Sequence, residues 1–134
     1  MDISKLNYLA ILVAALSTFF LGGLWYSPAV FGKAWMRENG FKEDDMKGAN
    51  MVKLFGTTFI LALIGAVNLA MFLGPQADVI FGASAGFAAG AGWVATQVGT
   101  HYLFERKSFT LFLINAGYST VALTIMGVIL GAWR

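Results

Sequence analysis

Four uncharged stretches, residues 6–32, 54–77, 79–104 and 108–133, take up most of the 134-residue chain. Each is longer than the roughly 20 apolar residues a helix needs to cross the hydrocarbon of a bilayer. A backbone in hydrocarbon must satisfy its own hydrogen bonds, which leaves helices and closed barrels. Barrel strands alternate apolar and polar positions over short segments; these runs are continuous and long, so they predict helices. The expected fold class is an all-α integral membrane protein, with four transmembrane helices at about residues 6–26, 52–73, 79–103 and 109–133 in an antiparallel bundle. Only 12% of the residues are charged and the mean hydropathy is +0.72, which leaves no room for a soluble domain. Residues 1–134 therefore read as a single transmembrane domain.

The first stretch follows Lys5 as a secretory signal would, but it leaves the membrane through Trp25-Tyr26-Ser27-Pro28 rather than a small-x-small cleavage site, and is read as a retained helix. The chain has no cysteine. That excludes disulfides, thiol chemistry and thiolate-held metals, and with them the quinone-linked disulfide oxidoreductases of similar size. No metal and no cofactor is expected.

Charge gives an orientation. Of the nine lysines and arginines, Lys33, Arg37, Lys42, Lys47, Lys53, Arg106 and Lys107 flank the first and third loops, whereas Lys5 and Arg134 lie at the ends. The positive-inside bias places those two loops in the cytoplasm and both termini outside. A multi-pass protein of a bacterial inner membrane is the expected setting, with membrane lipid as its surroundings. The basic residues are accounted for by topology, so no nucleic-acid partner is expected.

Between the first two spans, Ser27-Pro28 offers a cap and a first turn, and Asn39-Gly40 a stop. Phe31 and Trp35 share one face, Lys33 and Arg37 another, predicting a short amphipathic helix at about residues 28–39 along the cytoplasmic interface. Glu43-Asp44-Asp45 follows. Calcium loops space their ligands at alternate positions, so three adjacent acids read as a solvated turn.

The third span is the most patterned. At about 100° per residue, Gly82, Gly86 and Gly90 fall on the same side as Trp93, Gln97 and His101. Small-xxx-small spacing permits close helix approach, so this face is expected to seal one leaflet and open a polar, cytosol-facing vestibule in the other. The alternative is that the glycines serve packing alone. Gln97 and Asn115 sit at similar depth on neighbouring helices, and an amide pair between them, joined by Tyr118 and Ser119, is expected; it reads either as a packing staple or as a solute site. Asn68 is paired with Ser84. His101 stands four residues before Glu105, which reads as a proton-sensitive pair or as an interfacial histidine satisfied locally.

Absences are equally informative. Apart from Lys53 at the very start of the second, no Asp, Glu, Lys or Arg lies within any span, which argues against small proton-coupled drug exporters. The one-sided charge argues against dual-topology fluoride channels. No nucleophile, base and acid can be assembled, and an enzyme is not expected.

The run Leu21-Gly22-Gly23-Leu24-Trp25-Tyr26-Ser27-Pro28, continued by Phe31-Gly32-Lys33-Ala34-Trp35, resembles the signature of domain of unknown function 1761, a family of small bacterial and fungal membrane proteins. Phe104-Glu105-Arg106, Asn115-Ala116-Gly117-Tyr118, Met126-Gly127 and Leu130-Gly131-Ala132-Trp133 extend the likeness over nearly the whole chain. The resemblance implies four membrane helices with no assigned activity. It singles out Trp25, Tyr26, Ser27, Pro28, Phe31, Gly32 and Trp35 as an interfacial motif, either a shaped cytoplasmic feature or a corner held by aromatic anchors.

Gly127 and Gly131, with Ala116, Thr120 and Thr124, form a second smooth face on the last helix, and a homo-oligomer is expected from it. Two functions remain open: a small oligomeric passive channel or uncoupled transporter for a small solute, and a structural or accessory protein that binds another membrane component, such as an unidentified membrane-protein partner.

Overall fold

The computed structural model describes residues 5–42 and 50–133, and every regular element among them is helical. The acidic segment Glu43-Asp44-Asp45 lies outside the described residues. In chain order the elements are α1 (Tyr8–Trp25), α2 (Gly32–Asn39), α3 (Met51–Leu73), α4 (Val79–Glu105) and α5 (Phe109–Ala132). Of these, α1, α3, α4 and α5 are long and apolar enough to cross a membrane. Their exposed side chains are largely apolar, as at Ile60, Leu61, Ile80, Leu103 and Phe104, which suits a multi-pass protein surrounded by lipid.

All four long helices begin on a side-chain cap. Asn7, Asn50, Asp78 and Ser108 accept hydrogen bonds from the backbone N–H groups of Ala10, Lys53, Phe81 and Leu111, at 3.1, 3.1, 2.8 and 3.0 Å. Each thus satisfies a donor that the first helical turn leaves without a partner. The Asn7 amide also donates to the Trp133 carbonyl at 3.1 Å, joining the start of α1 to the end of α5. The turn from α4 to α5 is held by Arg106 in the left-handed region (φ 59), and the Lys107 N–H closes on the Tyr102 carbonyl at 2.9 Å.

The backbone after α1 does not enter a helix at Pro28. Residues 26–31 form a compact corner, and α2 begins only at Gly32. Ser27 is not a side-chain cap; its hydroxyl donates back to the Leu24 carbonyl at 2.7 Å, while its own carbonyl accepts from Val30 and Gly32 at 3.1 and 2.9 Å. The corner folds on itself so tightly that a Cβ on Gly32 would overlap the Tyr26 and Ser27 backbone. Gly40 (φ 72) ends α2, with the Phe41 N–H on the Met36 carbonyl at 2.9 Å.

Helix α5 is the hub. It packs against α1, α3 and α4, and α1 stands between α3 and α5. Ala10, Ile11 and Ala14 of α1 meet Ala66, Leu69, Ala70 and Leu73 of α3 and Met126 and Leu130 of α5 in one buried cluster. Toward the other end, α3 keeps contact with α1 through Phe19, whose ring lies 6.3 and 5.9 Å from those of Phe55 and Phe59.

Short connections make α3 and α4 sequential, yet these two helices touch little. The reason is the α4–α5 seam. A Cβ on Gly82 would overlap the carbonyl of Gly127, and one on Gly127 the carbonyl of Gly82; Gly86 meets the Leu123 carbonyl, Gly90 the Thr120 Cα and Gly131 the Asp78 carbonyl. Backbone lies on backbone, so α4 is drawn onto α5 and away from α3. A groove of about 550 Å³ opens in the gap, lined by Asn68, Leu69, Phe72, Ala85, Ala89 and Trp93 among others.

Candidate functional site

Within α4 the α-helix Val79–Ala89 gives way to a π-helical turn, Gly90–Val94, before resuming as Ala95–Glu105. A π-turn holds one residue more than the α-turn it replaces. Every side chain beyond it is therefore set back by about 100°. On an uninterrupted helix Trp93 would stand about 20° from Gly82, in the seam with α5. With the extra residue it is turned outward and is 68% exposed.

The same rotation carries Gln97 and His101 outward, and both are exposed. Val94, Val98 and Tyr102, all partly buried, take their place in line with Gly82, Gly86 and Gly90. The expected face joining the glycines to Trp93, Gln97 and His101 is thus divided in two: Trp93 borders the α3–α4 groove, while Gln97 and His101 are not in its lining and are exposed. Gln97 does not pair with Asn115, nor does His101 form an ion pair with Glu105 among the described residues. Asn68 donates to its own helix, at the Ile64 carbonyl, 2.8 Å away, rather than to Ser84.

Polar groups converge instead where α1, the corner and α5 meet. The Tyr26 hydroxyl donates to Asn115 Oδ1 at 2.7 Å, and Asn115 Nδ2 donates to the Tyr102 hydroxyl at 2.7 Å. Tyr118 donates to the Thr18 carbonyl at 2.9 Å, and the Trp25 indole N–H to the Ile114 carbonyl at 2.9 Å. Asn115 lies seven residues into the chain after Ser108, about 10 Å along the helix, at a depth where an unpaired amide is expensive. Its two aromatic neighbours supply an acceptor and a donor. Ser119, expected with this group, lies instead on the α4 side, where its carbonyl borders Gly90.

Around these bonds the aromatic rings form one continuous run. Trp25 lies 4.9 Å from Phe31 and 6.4 Å from Tyr118; Tyr26 lies 5.4 Å from Tyr118 and 5.9 Å from Trp35; Trp35 lies 5.4 Å from Phe41. Tilted and edge-on pairs of this kind contribute about 0.5–1.5 kcal/mol each beyond burial. Gly117 makes room for them, since a Cβ there would come within 3.2 Å of the Trp25 ring. The motif residues around 25–35 and those around 115–118, remote in sequence, are two sides of this one cluster. Pro28 lies in the corner, across which the Phe31 N–H closes on the Trp25 carbonyl at 3.0 Å.

Tyr102 is the member sequence reasoning missed. Its spacing of four from Val98, and of twelve from Gly90, would have flagged it only had the π-turn been known. Gly127, Gly131, Thr120 and Thr124 are likewise not a free face: α4 of the same chain lies on them, so these residues give no support to a homo-oligomer. Among the described residues no three His, Cys, Asp or Glu side chains are grouped to hold a metal.

Comparison with known proteins agrees with the motif blocks. Residues 9–131 match the model of the family described as "Protein of unknown function (DUF1761)", and the chain belongs to that family. No curated protein and no solved structure matches it.

Proposed function

We propose that this member of the family is a non-enzymatic membrane protein that holds another membrane component, rather than one that passes a solute between its own four spans. The observation that carries this reading is the mutual satisfaction of the inward polar groups. Tyr26, Asn115 and Tyr102 bond to one another, while Tyr118 and Trp25 bond to helix carbonyls. A permeation path lined by these residues would need donors and acceptors open to water; here they serve as structural links. At the opposite end the α4–α5 seam has no space for a methyl group. The groove between α3 and α4, by contrast, is lined almost wholly by apolar side chains, which suits a component with an apolar body.

In this reading the four spans form an antiparallel bundle with both termini outside, and α2 is an amphipathic helix along the cytoplasmic interface. Exposed Lys33 and Arg37 and the inward packing of Trp35 on Tyr26 support that placement. Two measurements test the proposal. Liposomes holding the wild-type chain, Gln97→Ala or Asn115→Ala are expected to show the same low flux of small ions and neutral solutes; a wild-type conductance altered by Asn115→Ala would overturn it. For topology, single cysteines at Gln76 and Lys107 are expected to react with an impermeant maleimide from opposite sides of the membrane, Lys107 from the cytoplasm. Labelling of both from one side would end the orientation.

A further inference from the structure

Beyond the π-turn, the outward face of α4 carries Trp93, Gln97, Thr100 and Phe104, all exposed, with Trp93 68% and Phe104 86% accessible. Their spacing of four, three and four is that of a left-handed helix seam. Thr100 satisfies its hydroxyl within its own helix, at the Thr96 carbonyl, 2.9 Å away. Gln97 has no hydrogen-bond partner among the described residues. It lies eight residues before Glu105, about 12 Å along the helix from the charged end, within a hydrocarbon core of roughly 30 Å. Lipid chains offer its amide nothing.

We infer that this face is the contact between two copies of the chain, paired by α4 against α4 about a two-fold axis along the membrane normal, with Gln97 of each copy hydrogen-bonded to the other. The exposed, unbonded Gln97 amide selects a second copy as the occupant on three grounds. A primary amide is both donor and acceptor, so Gln97 complements itself. Copies inserted with the same topology run their α4 helices in parallel, which brings each residue near the axis to its own counterpart. Gln97 is the one side chain of this seam with an amide left to share, since Thr100 is bonded within its own helix, and a single such residue is the device that fixes register between parallel helices. The π-turn is what makes the face available, because it turns these side chains away from α5. Trp93 also borders the α3–α4 groove, but Gln97, Thr100 and Phe104 do not, so the pairing does not require the groove to be filled or empty.

The absence of native cysteine makes the test direct. Thr100→Cys, reconstituted in phosphatidylcholine vesicles at high lipid-to-protein ratio and oxidised, is expected to give a disulfide-linked dimer. Thr100→Cys with Gln97→Leu is expected to cross-link about five-fold less, within the measured range for intramembrane hydrogen bonds. Leu61→Cys, on the exposed side of α3, is expected to stay monomeric. Monomer alone from Thr100→Cys, undiminished cross-linking with Gln97→Leu, or equal cross-linking at Leu61 would each overturn the inference. Gln97 is exposed and makes no hydrogen bond among the described residues, so Gln97→Leu is expected to leave the fold of the single chain intact.

Discussion

Gly127→Ala is expected to lower the unfolding free energy of the chain by about 3 kcal/mol, the upper part of the usual range for overpacking, because the new methyl would overlap the Gly82 carbonyl. The obstructing atom is backbone, held in the hydrogen-bond ladder of α4, and no rotamer change relieves the clash. Gly82→Ala should act the same way, since each glycine accommodates the other's carbonyl. The double variant should then cost less than the two together, because once the helices have parted at this level the second methyl meets nothing. Gly56→Ala provides the control: nothing lies within 4 Å of a Cβ there, and the gain in helix propensity should leave it equal to wild type or more stable by about 0.5–1 kcal/mol. Reversible unfolding in mixed micelles measures all four. Equal stabilities for Gly127→Ala and Gly56→Ala would show that α4 and α5 do not meet backbone to backbone.

Asn115→Leu should destabilise by about 2 kcal/mol, because it leaves two phenol hydroxyls, Tyr26 and Tyr102, without their shared partner. Removing every member of the link should cost less than removing the one in the middle. The triple variant Tyr26→Phe, Tyr102→Phe, Asn115→Leu keeps the shapes of the two rings and leaves no orphaned polar group, so most of the lost stability should return. Denaturation monitored by tryptophan fluorescence suits this series, since Trp25 and Trp35 lie in the same aromatic run. A harmless Asn115→Leu, or a triple variant weaker than the single one, would mean that Asn115 does not bridge α1 and α4.

Much of the fold was legible in the chain because hydropathy is a local property. Uninterrupted apolar length identifies helices that can span a membrane wherever they later pack. Caps were not legible in the same way: Asn7, Asn50, Asp78 and Ser108 cap the four long helices, whereas Ser27, read as a cap, turns its hydroxyl back to the Leu24 carbonyl, because capping depends on the backbone path as well as on the residue. The motif at residues 25–35 was also visible as a unit. Its partner block at 115–118 could be seen, but not the bond from Tyr26 to Asn115 that joins them, since no periodicity links residues on different helices.

Three things were decided only in three dimensions, and they share a cause. Helical phase computed along α4 holds only while every turn has the same number of residues, and the π-turn at Gly90–Val94 adds one. That single residue sends Trp93, Gln97 and His101 outward and brings Tyr102 to Asn115. Which small-residue face meets which helix was equally undetermined: Gly127 and Gly131 fit a second copy as well as they fit α4, and only the register of α5 against Gly82 and Gly86 assigns them to the same chain. The short turn after α3 then keeps α3 and α4 sequential without making them packed neighbours, because direct backbone contact with α5 draws α4 away. Local composition decides that these segments are helices in a membrane. Their rotation and their neighbours are set by which backbone surfaces come closest, a property of pairs of helices that no single stretch of sequence contains.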